Sequence, residues 1–339
     1  MGPMLLFAVA TLLPLPLITL GAWLGGGWAV AAISYMTLFT AALDELVRKI
    51  TPPVPEAEFP VANGLSVVLA LSHLVLLALV IAGLVVADAP LWSKVVLWFA
   101  AGLYFGQVSN SNAHELIHRT DRGLRRLGIA VYVSLLFGHH ASAHVLVHHP
   151  KVATKEDPNS ARAGESFYRF AGRAWRGSFR KGWIAERDRL ARVGRPRWRH
   201  PYLGYLLGET VLVGTVLLVL GWSGLAWYLM LVALAQVQLL LSDYVQHYGL
   251  TRRTDESGKI EPVRAEHSWN SPHWFSSALM LNAPRHSDHH AHPMTAYPGL
   301  DLPPAPMLPR SLPVMACVAL VPPLWRRVMD PRVAALTKS

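Results

Sequence analysis

The stretch LWSKVVLWFAAGLYFGQVSNSNAHELIHR (residues 91–119) begins as a membrane span and ends in polar residues and histidines. Its first half is apolar enough to lie in lipid, whereas its last residues place His114 and His118 on one helix face. If the whole stretch is helical it is about 43 Å long, against about 30 Å for the hydrocarbon core of a bilayer. The sequence therefore predicts a helix that crosses a membrane and carries histidines above its surface.

Five further apolar windows accompany this one, and the composition is typical of a membrane protein. Of 339 residues, 52% are hydrophobic and only 15% are charged, whereas about 25% are charged in soluble proteins. Short connectors divide the windows into three antiparallel hairpins. The predicted fold class is an all-α integral membrane protein, one membrane-embedded catalytic domain over residues 1–339 with about six transmembrane helices. The spans are at about 4–24, 27–46, 62–87, 91–113, 203–222 and 225–247. The first window has neither a basic leader nor a clear cleavage site, so we expect a retained span.

Basic residues are confined to one side of these spans. The three connectors contain no Lys or Arg, and Lys94 is the only one of 31 basic residues near that side. By the positive-inside rule, both termini and two histidine-rich regions, 114–200 and 247–310, are cytoplasmic. Basic cytoplasmic loops are usual in membrane proteins, so the net charge of +10 does not by itself indicate a nucleic-acid partner. The basic residues lack the interleaved aromatics of a single-strand binder, so no nucleic-acid partner is expected.

Histidine is the compositional peculiarity, because fifteen of the sixteen lie at or beyond the cytoplasmic ends of the spans. The exception, His73, is expected to form a helix–helix hydrogen bond rather than line a cavity. The others concentrate in four clusters, HELIH (114–118), HVLVHH (144–149), DYVQH (243–247) and RHSDHH (285–290). Nine imidazoles exceed the four or so ligands of one zinc ion, so the clusters predict a site for two metal ions. The candidate ligands are His114, His118, His144, His148, His149, His247, His286, His289 and His290.

The donor set limits the choice of metal. Cys317 is the only cysteine, which excludes an intramolecular disulfide and a cysteine-based zinc or iron–sulfur site. Imidazole suits zinc, iron, copper and nickel, and open positions favour oxygen-activating iron over zinc without deciding between them. Carboxylates placed to accept the second N–H of a ligating imidazole are Glu115, Glu156, Asp157, Asp243 and Asp288.

Two other functions compete at this stage. HELIH matches the H-E-x-x-H signature of zinc metalloproteases, with Glu115 as general base, but such an enzyme leaves most of the clustered histidines unexplained. A membrane protein that stores or transports metal would need ionisable residues at mid-membrane depth, and the spans contain almost none.

The segments HELIHR, HVLVHHPKVATKEDPNS, DYVQHYGL and RHSDHHAHP carry a family resemblance over about residues 104–298. In them the chain resembles the integral-membrane alkane 1-monooxygenases (AlkB type), non-haem di-iron enzymes of the membrane desaturase/hydroxylase superfamily. The resemblance implies that the same nine histidines bind two iron ions. Ala143 and Val147 stand where the family usually has Glu and Gly, so the role of that Glu is vacant or relocated, and His139 or His140 is a possible substitute ligand.

The resemblance also implies the reaction, O2-dependent terminal hydroxylation of medium-chain n-alkanes or similar apolar chains to primary alcohols. A desaturase or hydroxylase of fatty acyl, terpene or alkylaromatic substrates is the alternative. No flavin, haem or nicotinamide fingerprint is present, and the family implies rubredoxin as electron donor, reduced by an NADH-dependent rubredoxin reductase. Basic residues around the cytoplasmic cap suit an acidic carrier, and the location implied is the bacterial cytoplasmic (inner) membrane.

Three further segments have two interpretations each. The polar run of residues 107–112 either lies where a substrate tunnel meets the metals or joins helices by hydrogen bonds. The Arg- and Trp-rich loop 162–199 either anchors at the membrane interface or docks an acidic partner. The segment SLPVMACVALVPPLW (residues 311–325) is too short to span, so it is interfacial or re-entrant.

Overall fold

A computed structural model describes residues 2–47 and 49–337, and these residues are almost entirely helical. Isolated bridges pair Thr254 with Ile260 and Asn270 with Met307, and no sheet forms in the described ranges. The α-helices are α1 (Pro3–Leu12), α2 (Pro14–Leu24), α3 (Gly26–Ser34), α4 (Thr40–Leu46), α5 (Phe59–Val86), α6 (Leu91–Tyr104), α7 (Asn110–Ile117), α8 (Arg122–Ser134), α9 (His140–Ala143), α10 (His149–Lys151), α11 (Phe167–Arg192), α12 (Pro201–His247), α13 (Trp274–Leu279), α14 (His286–Ala291), α15 (Leu312–Ala319) and α16 (Pro322–Thr337). Short 3₁₀ turns occupy Glu56–Glu58, Arg197–Arg199, Ala265–His267 and Tyr297–Gly299.

Four helical segments in the described ranges are long and apolar enough to cross a membrane. They are Met4–Leu24, Gly26–Leu46, Phe59–Val86 and Pro201–His247, and they make this a multi-pass membrane protein. The window that starts at Leu91 is also helical, as far as Ile117, but its first turns hold Lys94 and two tryptophans, which make it less apolar. The helix does carry HELIH beyond the apolar part, as its length predicted.

The 47-residue helix α12 is a hairpin of two helices. Gly221 has φ 65° and ψ −168°, a backbone conformation open to glycine alone, and the chain reverses there. The Glu209 carboxylate accepts from the Gly138 N–H at 2.8 Å, and the Gln236 amide donates to the Leu135 carbonyl at 2.8 Å. Residues 209 and 236 of a straight helix would lie about 40 Å apart. The predicted pair of windows is therefore correct, but the turn is made at Gly221 and helical geometry resumes at Trp222.

Three helical stretches widen into π-helix, at Tyr35–Phe39, Phe105–Ser109 and His144–His148. A π turn frees backbone carbonyls from the usual ladder, and in lipid each of them needs a partner. Around the second π segment, the Gln238 amide donates to the Gly102 carbonyl at 2.7 Å, and the Asn110 amide donates to the Gly106 carbonyl at 3.2 Å. These side chains stabilise a local widening that the apolar pattern did not predict.

Two contacts resolve expectations about single segments. His73 Nε2 lies 2.8 Å from Ser134 Oγ, so its predicted helix–helix hydrogen bond is confirmed. The C-terminal segment forms the eight-residue helix α15, followed by α16, which begins at Pro322. Proline is well accommodated in the first turn of a helix, so Pro322 and Pro323 start a helix here. Trp325 of α16 is fully buried and fixes the C-terminal region against α12 through Tyr244 and Tyr248.

Candidate metal centre

The nine predicted histidines converge from four separate segments into two adjoining groups. In each group the nearest ligand atoms all lie within 4.8 Å of one another. The five-histidine group contains His114, His118, His144, His149 and His289. The four-histidine group contains His148, His247, His286 and His290.

The π segment His144–His148 explains how one short stretch serves both groups. In a π-helix, residues five apart lie one above the other, which aligns His144 with His149. Their Nε2 atoms are 2.9 Å apart in the five-histidine group, whereas His148 points into the other group. An α-helical turn would have paired His144 with His148 instead.

The nitrogen–nitrogen distances fit a shared ion. Nε2 atoms are 2.7 Å apart in His114 and His144, 2.9 Å in His247 and His286, and 3.1 Å in His149 and His289. Two nitrogens at about 2.1 Å from one ion are about 3.0 Å apart at a right angle and about 3.4 Å apart at the tetrahedral angle. The nitrogens of each pair are therefore close enough to share one ion.

Burial keeps these imidazoles in the neutral form that binds metal. It lowers the pKa of six of them well below the usual value, and the neighbouring imidazoles lower it further; the six are His118, His144, His149, His286, His289 and His290. Nε2 of His118 and of His148 are buried without a hydrogen-bond partner. A buried polar atom of this kind normally has a partner, and a metal ion would provide one.

Asp157 is the carboxylate that supports the four-histidine group. It is buried and accepts from His148 Nδ1 at 2.8 Å, from Ser160 Oγ at 2.7 Å and from the Asn159 N–H at 3.0 Å. Burial raises the pKa of Asp157, but His148 and these hydrogen bonds outweigh it, and the net pKa is lowered. Burial likewise lowers the pKa of His148, and Asp157 outweighs it, so that pKa is raised. An ionised carboxylate therefore fixes the orientation of His148.

The other four predicted supporting carboxylates differ from Asp157. Asp243 is buried in the pocket beside the histidines and accepts from the Asn159 amide at 2.6 Å. Glu115 accepts from the Tyr297 N–H at 3.0 Å and pairs with Arg119. Neither carboxylate is hydrogen-bonded to a ligand imidazole in the described residues, and other donors occupy both of them.

Glu156 and Asp288 lie away from both groups. The Glu156 side chain is 61% exposed and pairs with Lys151, so solvent and a surface cation compete for it. Asp288 accepts from His292 Nδ1 and from the Asp301 N–H, each at 2.8 Å. Its helical position turns it to the side of α14 opposite the ligands, where it holds the following loop.

His139 and His140, the predicted substitute ligands, are outside the two groups. His139 packs among aromatic rings, with Nε2 3.4 Å from Ser178 Oγ. His140 lines the pocket, and its ring centroid is 5.0 Å from that of His144. The full set of nine histidines makes neither of them necessary as a ligand.

A buried carboxylate does lie beside position 143, although the sequence interpretation missed it. Glu186 of α11 is 2% exposed and accepts from Ser142 Oγ at 2.6 Å, next to Ala143. Glu186 is 43 residues from Ala143 along the chain, so the sequence alone did not indicate that the two residues are neighbours. The helical spacing of buried Ser178, Gly182 and Glu186 on α11 was the signal that could have indicated a buried face.

Two adjoining cavities share lining residues, and the smaller one reaches the histidines. A metal-facing pocket of about 50 Å³ touches His114, His144 and His286. A larger, mainly apolar chamber of about 390 Å³ lies between α6, α12, α15 and the π segment that leads into α4. Of the polar run, Gln107 lines the chamber and Asn110 and Ser111 line the pocket.

The remaining polar-run residues do not line either cavity. The Asn112 amide donates to the Ser66 carbonyl at 2.9 Å, which joins two helices. The Asn110 amide likewise donates to the Ala235 carbonyl of α12 at 3.0 Å, so the predicted hydrogen bonds between helices are present, and the meeting with a substrate tunnel stays a prediction. Ser109 is buried, and its hydroxyl has no hydrogen-bond partner.

The comparisons with known proteins agree with this geometry. A profile of the family named "Fatty acid desaturase" matches residues 89–303. Alkane 1-monooxygenase 2 of Pseudomonas aeruginosa is 34% identical over 330 residues, which cover 94% of this chain and 87% of that protein. Alkane 1-monooxygenase 1 of the same organism is 37% identical, with 69% and 62% covered, and the alkane 1-monooxygenase of Ectopseudomonas oleovorans is 34% identical, with 76% and 65% covered. The chain thus spans less than two thirds of the latter two proteins.

Proposed function

Because this chain belongs to the fatty acid desaturase family, we propose that it is a membrane monooxygenase that hydroxylates the end of a medium-chain n-alkane. The reaction is RH + O2 + 2 e⁻ + 2 H⁺ → ROH + H2O, and the product is a primary alcohol. One observation carries the proposal: the two histidine groups open into a pocket that adjoins an apolar chamber. The names of the three relatives support the same substrate.

The donor set supports two iron ions as the resident metals. Nine nitrogens and no thiolate are present in the two groups, a donor set that suits iron and exceeds the four or so ligands of one zinc ion. When bound, a pair of iron ions supplies the redox chemistry that activates dioxygen. The metalloprotease alternative is disfavoured because Glu115, its candidate base, is occupied by Arg119 and the Tyr297 N–H.

The protein's own residues bind the substrate and exclude water. The chamber has a volume within the range of about 300–1,000 Å³ common for ligand pockets, and Phe99, Leu103 and Leu241 are among its lining side chains. No Lys or Arg is found among the lining residues of either cavity in the described ranges. A fatty acid carboxylate would therefore lack a counter-ion, which favours a hydrocarbon over an acyl substrate.

Rubredoxin is the proposed electron donor, and α11 is its proposed docking surface. The exposed Arg169, Arg176, Arg180 and Arg187 are spaced so that they share one helix face. The opposite face of α11 holds Ser178, which lies next to His139, and Glu186, which accepts from Ser142. Only the thickness of one helix, about 10–12 Å, then separates an acidic carrier from the segment that holds His144 and His148.

The location proposed is the bacterial inner membrane, with both termini and the metal centre on the cytoplasmic side. The distribution of Lys and Arg supports this orientation. It would also give NADH-dependent rubredoxin reductase and rubredoxin direct access to α11.

The experiment that tests the function is turnover by the purified protein with iron, rubredoxin, rubredoxin reductase, NADH and octane in air. We expect 1-octanol, and Mössbauer spectroscopy should report two coupled iron ions per chain. If reduced rubredoxin and O2 yield no alcohol, or if active protein holds one zinc ion, the proposal fails. An alkene product would instead assign desaturation.

A further inference from the structure

The apolar chamber and the metal-facing pocket meet at a few shared lining residues, which we call the neck. Only three of the described lining residues, Gly106, Ser242 and Met280, border both cavities. Any chain that passes from the 390 Å³ chamber to the 50 Å³ pocket must pass these three. Met280 has the only large and flexible side chain among them.

Two of the three neck residues have little freedom to change. A Cβ on Gly106 would lie 2.1 Å from the Gln238 amide nitrogen, which itself donates to the Gly102 carbonyl. The Ser242 hydroxyl donates a hydrogen bond to Gln246 Oε1 at 2.8 Å, which fixes its side chain. The width of the neck is therefore decided mainly by Met280.

The backbone after Met280 is held in an uncommon conformation. Leu281 and Asn282, neither of them glycine, have φ of 48° and 55°, the sparsely populated left-handed region. The Asn282 N–H donates to the Ser277 carbonyl at 2.7 Å, and its amide donates to the Tyr297 carbonyl at 2.8 Å. Strained residues of this kind concentrate at functional sites, and here the turn fixes Met280 six residues before His286.

From this geometry we infer that Met280 determines which carbon of the substrate is oxidised. This inference rests on the proposed hydroxylation. The neck admits the end of an unbranched chain and stops its body, because the pocket beyond it has a volume of only about 50 Å³, against about 390 Å³ for the chamber. The terminal carbon therefore reaches the metals, and internal carbons stay in the chamber.

The test compares three variants at the neck with one control. Met280→Ala widens the neck, Met280→Phe obstructs it and Met280→Leu preserves its size. Val237→Ala is the control, because Val237 lines the chamber only. Products from octane are separated as 1-octanol and 2-octanol.

We expect Met280→Ala to raise the ratio of 2-octanol to 1-octanol at least tenfold, and Met280→Leu and Val237→Ala to leave it within twofold of the wild-type ratio. Met280→Phe should lower octane hydroxylation at least tenfold. An unchanged product ratio in Met280→Ala, or full activity in Met280→Phe, overturns the inference.

A second measurement does not depend on turnover. Cys317, the only cysteine, is exposed and lines the chamber, so octane bound there should slow its alkylation by a maleimide. We expect the same protection in the wild type and in Met280→Phe, without electron donor, because the obstruction lies beyond the chamber. Loss of protection in Met280→Phe would show a disturbed chamber and overturn the neck assignment. Absence of any alcohol from the wild type instead refutes the proposed function.

Discussion

Replacing Asp157 by asparagine should lower the affinity for one of the two metal ions and leave the affinity for the other unchanged. Asp157 is 1% exposed, and its ionised carboxylate accepts from His148 Nδ1 at 2.8 Å. Asparagine keeps an acceptor oxygen but loses the charge, whereas alanine loses both. Loss of such a supporting partner typically costs 10–100-fold in metal affinity, about 1.4–2.7 kcal/mol, and a hydrogen bond to a charged group contributes about 1.5–3 kcal/mol. We therefore expect metal affinity to fall about tenfold in Asp157→Asn and about 100-fold in Asp157→Ala.

The assay is metal content per chain after dialysis against graded concentrations of a chelator. Because His148 belongs to the four-histidine group, the variants should pass through a state with one ion per chain. Glu156→Gln is the matched control, one residue away but exposed and paired with Lys151. Loss of both ions together, or the same loss in Glu156→Gln, would refute the reasoning.

Three further outcomes follow from the contacts described. His289→Ala should remove the ion of the five-histidine group and abolish turnover, whereas His292→Ala, at an exposed side chain, should do neither; metal analysis and product assays decide. Gly106→Ala should lower thermal stability by roughly 1–3 kcal/mol through overpacking, whereas Gly64→Ala, with open space around it, should not; melting in detergent checks both. Metal-free protein should lose stability as pH falls below about 6.5, because the unfolded chain then takes up protons that the buried native imidazoles refuse. At pH 5.5 each such imidazole costs about 1.4 kcal/mol, and six of the ligands have a pKa well below the usual value: His118, His144, His149, His286, His289 and His290. The pKa of His148 is raised instead, which offsets part of this loss of stability. A melting temperature that does not change between pH 7 and 5.5 would contradict the prediction.

The sequence was sufficient for the parts of the fold that depend on simple periodicity. Apolar runs predicted the long helices, and HELIH predicted two ligands on one helical face because residues four apart align in an α-helix. The reversal at Gly221 was predicted within three residues, since a glycine-rich connector between apolar runs indicates a turn.

Other parts depend on contacts that no local pattern contains. The π-helical turn at His144–His148 decides that His144 and His148 serve different groups, and the α-helical spacing of the sequence could not show it. Asp288 is adjacent to His289 along the chain and Asp157 is nine residues from His148, yet of the two only Asp157 is bonded to a ligand imidazole. The direction in which each side chain leaves its backbone decides between them.

The walls of the apolar chamber come largely from outside the region that matches the family profile. Residues 89–303 match it, but Met36 to Ala41 and Ser311 to Leu320 supply much of the lining. More than half of the residues that line the chamber are thus encoded apart from the stretches that carry the histidines. A protein engineer could exchange the two peripheral stretches between relatives to retune the hydrocarbon accepted, while leaving every imidazole in place.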